Sequence, residues 1–250
     1  MLATWMPLIA LAAAILPLLG AKRWITRQLQ ELSWLWMGDS DTALIIYFVI
    51  VLPGVVLHEL SHWLMAWALG VPVRKLSLGP VRKGRGSRVS LGSVRVGSVD
   101  PVRSSLIGLA PLLGGSAVIL LIGYLVLHVD QVIEAMISGG STGIVEGLQQ
   151  LAQAGDLGLW LYLIFAISNA MLPSESDMEA VRPVLIFLGL VAAVVLVIAG
   201  MPAIPDTIVQ AVNVLAGYLA SAFGLTLAVD LVYILIIFLL LSLTRWIRRK

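Results

Sequence analysis

Between Thr42 and Gly70 the chain stays apolar for the length of a bilayer crossing, yet it carries His58-Glu59-Leu60-Ser61-His62 in the second half of that run. Fifteen uncharged residues, Ala43 to Leu57, precede His58, and Leu64 to Gly70 follow without a charge. In hydrocarbon a glutamate and two histidines are costly unless they face a partner or a water-filled cavity, so such a cluster reads as a functional site by default. In a helix, residues four apart lie one above the other, so both imidazoles can reach one metal ion. Glu59 then stands one step round, beside that ion. The pattern suits a Lewis-acidic ion held by histidines, with a carboxylate to take a proton from its water.

The rest of the chain shares the apolar character. Of its 250 residues, 60% are hydrophobic and 12% charged, with a mean hydropathy of +1.01, which is too apolar for a soluble domain. The expected fold class is a membrane protein, all-α, with about six transmembrane helices and a small β-hairpin inserted after the second. The absence of cysteine excludes disulfides and thiolate ligands, so any metal must use His, Asp, Glu or water. The first twenty residues lack a basic leader and read as a retained span rather than a cleaved signal.

Residues 1–41 are expected to form a first span, Leu2 to Gly20, and a polar segment from Lys22 to Asp41 along the membrane surface, marked by Trp24, Trp34 and Trp36. Residues 42–182 form the expected core. Its first helix, Thr42 to Gly70, has Pro53-Gly54 a turn before His58, either a kink that opens space or a packing feature. From Val71 to Arg103 apolar and polar residues alternate around Arg82-Lys83-Gly84-Arg85-Gly86, the pattern of a β-hairpin. That segment holds eight of the sixteen Lys and Arg residues against one acid, Asp100. Beside membrane spans, such a run reads as a topology signal or contact with anionic lipid rather than with nucleic acid.

Ser104 to Leu127 is the expected third span, with close-packing small residues and Pro111 near its start. Val129 to Asp156 reads as a loop with four acids and no Lys or Arg, Leu157 to Pro173 as the fourth span, and Ser174 to Arg182 as a short loop. In the C-terminal part, 183–250, Val184 to Gly200 is the fifth span and Leu225 to Leu243 the last, with Asp206 to Gly224 interfacial or re-entrant. Six spans with both termini inside place thirteen of the sixteen basic residues on the cytoplasmic side, leaving Lys22, Arg23 and Arg27 as exceptions. A full crossing by Asp206 to Gly224 would move the C-terminal basic cluster outside. The short loops fit a prokaryotic plasma membrane.

A catalytic zinc site usually needs a third protein ligand. His128, at the end of the third span, reads as interfacial, and Asp230 as solvated or helix-capping. At ~1.5 Å per residue, His58 and His62 lie ~24 and ~30 Å along a helix counted from Thr42, and Asp177 lies ~30 Å along from Leu157. The levels match, with Glu175 and Glu179 as alternatives within a turn. Asn169 is a candidate to donate a hydrogen bond to a substrate carbonyl or developing oxyanion, or else a buried residue joining helices.

With these residues assembled, the chain resembles the site-2 protease family of intramembrane zinc metalloproteases, in which a His-Glu-x-x-His span is paired with a later Asn...Pro...Asp-Gly segment. His58, Glu59 and His62 match the first motif, and Asn169, Pro173 and Asp177 match the second in part, over roughly Thr42 to Arg182. Two departures stand out: Met178 follows Asp177 where the family has glycine, and Pro173 falls one position later than usual against Asn169. The resemblance implies zinc on His58, His62 and Asp177, Glu59 as general base, and membrane-embedded protein substrates, in a core without a PDZ or CBS domain. The rival expectations are a non-catalytic metal-binding relative and a metal transporter. A transporter would want further polar residues tracking across the bilayer, which the third and fifth spans lack.

Overall fold

The computed structural model describes residues 2–82, 89–97, 99–138, 140–199 and 205–248. Eight helices and a two-stranded sheet follow one another as α1 (Leu2–Met37), α2 (Ser40–Ala68), β1 (Val73–Arg82), β2 (Val89–Val96), α3 (Pro101–Leu121, ending in a wider π turn, Ile122–Val126), α4 (Val129–Ser138), α5 (Gly140–Ala152), α6 (Leu157–Met171), α7 (Glu175–Ala199) and α8 (Asp206–Arg248). Among the described residues, four helices are long and apolar enough to cross a membrane: α1, α2, α3 and α8. A fifth crossing is added if α5 and α6, bent by 93°, count as one. Their outer faces are apolar, as Leu231, Leu235 and Leu239 on α8 illustrate. Exposed apolar stripes on this scale suit lipid better than water.

The core lies where α1, α2, α3, α6 and α8 meet, with Ile25, Val51, Ile119, Phe165 and Phe223 almost fully buried. Phe165 stacks on Tyr233 at a centroid distance of 4.0 Å. Helix α2 passes unbroken through Pro53-Gly54. A Cβ at Gly54 would collide with the Ala166 carbonyl, so of the two readings of this pair, close packing of α2 on α6 is the one observed. The expected hairpin forms, with β1 and β2 antiparallel and Leu76 opposite Val94. Its tip, residues 83–88, lies outside the described residues.

Four expectations about the chain path are corrected. The Lys22–Asp41 segment is no separate surface element but the continuation of a 36-residue α1. Two of its polar residues find partners on other helices or their ends: Lys22 donates to the Leu172 carbonyl at 3.4 Å, and Glu31 forms an exposed pair with Arg245. The acidic loop from Val129 to Asp156 is largely two helices, α4 and α5. Asp206 to Gly224 is one piece with the last span, in a 43-residue α8.

The fourth correction concerns Ser174 to Arg182, which starts α7 instead of forming a loop. Helix α7 also does not turn back. Met171 packs on Gly115 of α3, Asp177 on Gly108, and Ser105 donates to the Ala180 carbonyl at 2.8 Å. The partners on α3 thus step steadily backwards as α6 gives way to α7, so the two helices run the same way along α3. Six alternating spans do not fit this path.

The bundle ends follow from these contacts. Arg245 pairs with Glu31, Trp36 donates to Thr244 and Arg248 donates to the Leu35 carbonyl, all beside the turn joining α1 to α2. The hairpin leaves the other end of α2. The C-terminal basic residues and the hairpin therefore sit at opposite ends of α2, whereas six spans with both termini inside would bring them to one side.

Candidate metal centre

His58 and His62 point from α2 towards Asp177 in the first turn of α7. The Nε2 atoms lie 3.1 Å apart, His62 Nε2 is 3.3 Å from Asp177 Oδ1, and His58 Nε2 is 3.6 Å from Asp177 Oδ2. Four ligands at ~2.05 Å around a tetrahedral zinc stand ~3.3 Å apart. The two nitrogens and the carboxylate stand at 3.1 to 3.6 Å from one another, each histidine facing a different carboxylate oxygen, which is near that spacing, and the donor set of two imidazoles and one carboxylate fits zinc. Among the described residues this is the group of His, Asp and Glu side chains that converges closely enough to hold a metal ion.

The outward nitrogens are fixed by backbone. His58 Nδ1 lies 2.8 Å from the Ala170 carbonyl and His62 Nδ1 2.7 Å from the Ile107 carbonyl. Carbonyls only accept, so each Nδ1 carries a proton, which leaves Nε2 as the nitrogen that turns inward. Two nitrogens and a carboxylate then face one point, an arrangement that calls for a cation, a proton or a metal ion.

Both carbonyls are free for local reasons written in the sequence. Ile107 would ordinarily accept from residue 111 of its own helix, but Pro111 has no N–H. Ala170 would accept from the N–H of Ser174, but that group donates to Asp177 Oδ2 at 2.7 Å. Ser174 in turn caps α7: the Asp177 N–H reaches its hydroxyl at 3.3 Å, and that hydroxyl donates to Oδ2 at 2.6 Å. This reciprocal arrangement is a capping box with aspartate at its third position. It selects Asp177 over Glu175 and Glu179, which are more exposed and lie outside the converging group. Met178 sits within the regular helix, where no glycine is needed.

Burial works against charge on Asp177. Protons shared from the imidazole Nε2 atoms, with the Ser174 hydroxyl, outweigh that effect and hold its carboxyl well below the ordinary carboxylate range. It is therefore ionised, as a ligand must be.

Glu59 is buried on the neighbouring face of α2, where β2 covers it. A Cβ at Gly92 would fall 2.5 Å from Glu59 Oε1, so the glycine is what lets the strand close over the carboxylate. A cavity of about 720 Å³ opens at this point, bounded by Glu59, both histidines, Asp177, Asn169 and Lys22 among others.

Asn169 lines the cavity. One hydrogen of its amide nitrogen goes to the Phe165 carbonyl at 2.8 Å, within its own helix, and the other has only a 3.5 Å contact with the Ser168 hydroxyl. The atom left without a partner is Oδ1, an acceptor. Reversing the amide would set two acceptors face to face. Asp230 departs from expectation. It is neither solvated nor capping but only 2% exposed in mid-helix, accepting from Ser168 at 3.2 Å. His128 is exposed and away from the group, as an interfacial residue would be.

The sequence reading missed Ser174, Pro111, Gly92 and Lys22 as parts of the site. The Ser-x-x-Asp spacing was the legible signal for the first. Comparison of the chain with protein-family models, curated proteins and solved structures gives no match.

Proposed function

We propose that the chain is an intramembrane zinc metalloprotease of the site-2 type, hydrolysing peptide bonds of membrane-embedded proteins. The observation that carries this reading is the convergence of His58, His62 and Asp177 at near-tetrahedral spacing, with Glu59 in the same cavity under β2. In the bilayer, α1, α2, α3, the α5–α6 pair and α8 would be five crossings. An odd number agrees with the opposite placement of the hairpin and the C-terminus.

His58, His62 and Asp177 would hold the zinc, and their partners Ile107, Ala170 and Ser174 would keep them aimed. Bound zinc supplies a water acidified towards a pKa of ~7 and a Lewis acid for the carbonyl. Glu59 takes the proton from the attacking water and returns it to the leaving amine. A transmembrane substrate must first unwind, because its carbonyls are engaged in helical hydrogen bonds. The strand segment Leu91 to Arg95 borders the cavity, so an extended substrate can pair alongside it by strand addition.

The test is Glu59→Gln in purified protein reconstituted in vesicles with a library of transmembrane peptides. The proposal expects zinc retained and cleavage abolished. Cleavage that persists in this variant refutes Glu59 as the base, and wild type that binds zinc without cleaving any peptide refutes the protease reading.

A further inference from the structure

Resting on that reading, we propose that Lys22 of α1 is a further catalytic residue, the donor that meets the substrate carbonyl oxygen as it becomes negatively charged. Lys22 belongs to a helix with no direct part in the metal group, yet it lines the cavity that Asn169 and Asp177 also line, and its amine reaches the Leu172 carbonyl. A lysine inside an apolar helix is costly and calls for a partner. Among the described residues it forms no ion pair within 4.0 Å; its one hydrogen bond, to the Leu172 carbonyl, is long at 3.4 Å. An ammonium has three donors, so two are left for a ligand.

Neighbouring donors are partly committed: one Asn169 amide hydrogen goes to Phe165 and the other makes a 3.5 Å contact with Ser168, while the Ser174 hydroxyl goes to Asp177. A single negative charge is what the reaction develops, and the Lys22 ammonium is a positive charge on the wall of that cavity.

In that reaction the water oxygen bonds to the carbonyl carbon as one of its protons passes to Glu59, and the carbonyl π pair moves onto oxygen. When the pair returns, the C–N bond breaks and the amine takes the proton from Glu59. Lys22 donates an N–H to the charged oxygen in between and keeps its own proton throughout. The bland alternative is that the amine merely caps the C-terminal end of α6, where cations are favourable.

The experiment separates these roles through Lys22→Met and Lys22→Cys, the second in a chain with no other cysteine, so that aminoethylation restores an ammonium at one position. Three quantities are read: zinc content, affinity for a phosphinate peptide that mimics the charged tetrahedral carbon, and affinity for the same peptide with an ordinary amide. Loss of one oxyanion donor lowers kcat by ~10²-fold or more. Lys22→Met should therefore weaken phosphinate binding and kcat by ~10²-fold, with zinc and amide-peptide affinity unchanged and KM little moved. Aminoethylation of Lys22→Cys should recover most of the loss. Equal phosphinate affinity in Lys22→Met and wild type overturns the proposal, as does loss of zinc in step with activity. Those results leave the protease reading intact if wild type cleaves. Wild type that binds zinc but neither cleaves nor prefers phosphinate over amide brings down both.

Discussion

Removing the Ser174 hydroxyl should loosen the metal site without touching a ligand. That oxygen donates to Asp177 Oδ2 at 2.6 Å and receives the Asp177 N–H at 3.3 Å, so it both starts α7 and aims the carboxylate. Loss of a serine cap costs about 1 kcal/mol of helix stability. Loss of a hydrogen bond to a ligating side chain typically costs 10–100-fold in metal affinity, or ~1.4–2.7 kcal/mol. Ser174→Ala should weaken zinc binding within that range, measured by competition with a chromogenic chelator in detergent, with the helical content of the protein preserved. Ser174→Thr keeps the hydroxyl and should restore most of the affinity. Zinc affinity in Ser174→Ala equal to wild type would refute the role given to the capping box.

Two further outcomes follow from the same geometry. Pro111→Ala gives residue 111 an N–H that competes for the Ile107 carbonyl now held by His62; zinc affinity should fall ~10-fold while thermal stability holds or rises, because a helix-interior proline is removed. Affinity unchanged in that variant would show that His62 is aimed by something else. Single cysteines at Arg95 and Arg245 should react with an impermeant reagent from opposite faces of sealed vesicles. Labelling from one face would contradict a bundle with five crossings.

The candidate metal group was legible in the sequence because its parts are governed by short-range rules. Spacing of four places His58 and His62 on one helical face, and a count of helical rise sets Asp177 at their level. The hairpin was legible from its alternation of apolar and polar residues. What was not legible is where helices end. Lys22, Arg27 and Glu31 interrupt the apolar run of α1 and mimic a helix terminus, yet Lys22 and Glu31 are met by Leu172, just past the end of α6, and by Arg245 of α8. Such partners lie about 150 or more residues away in sequence. Helices α4 and α5 were lost in the opposite way, since four acids without a basic residue look like a loop, while their apolar residues still recur at helical spacing. Asp230 was misplaced because α8 was divided at Gly224, which put a buried carboxyl near an imagined helix end. The direction of α7 could not be read at all: a proline and a capping serine mark the break at Pro173-Ser174 but do not say whether the next helix turns back or continues.

The most direct test of the metal centre is the zinc content of detergent-purified protein, wild type beside Asp177→Ala, Glu175→Ala and Glu179→Ala. The account predicts one zinc per chain in wild type and in both glutamate variants, with its loss in Asp177→Ala alone. Zinc that survives Asp177→Ala, or wild type that holds none when supplied with it, would contradict the account.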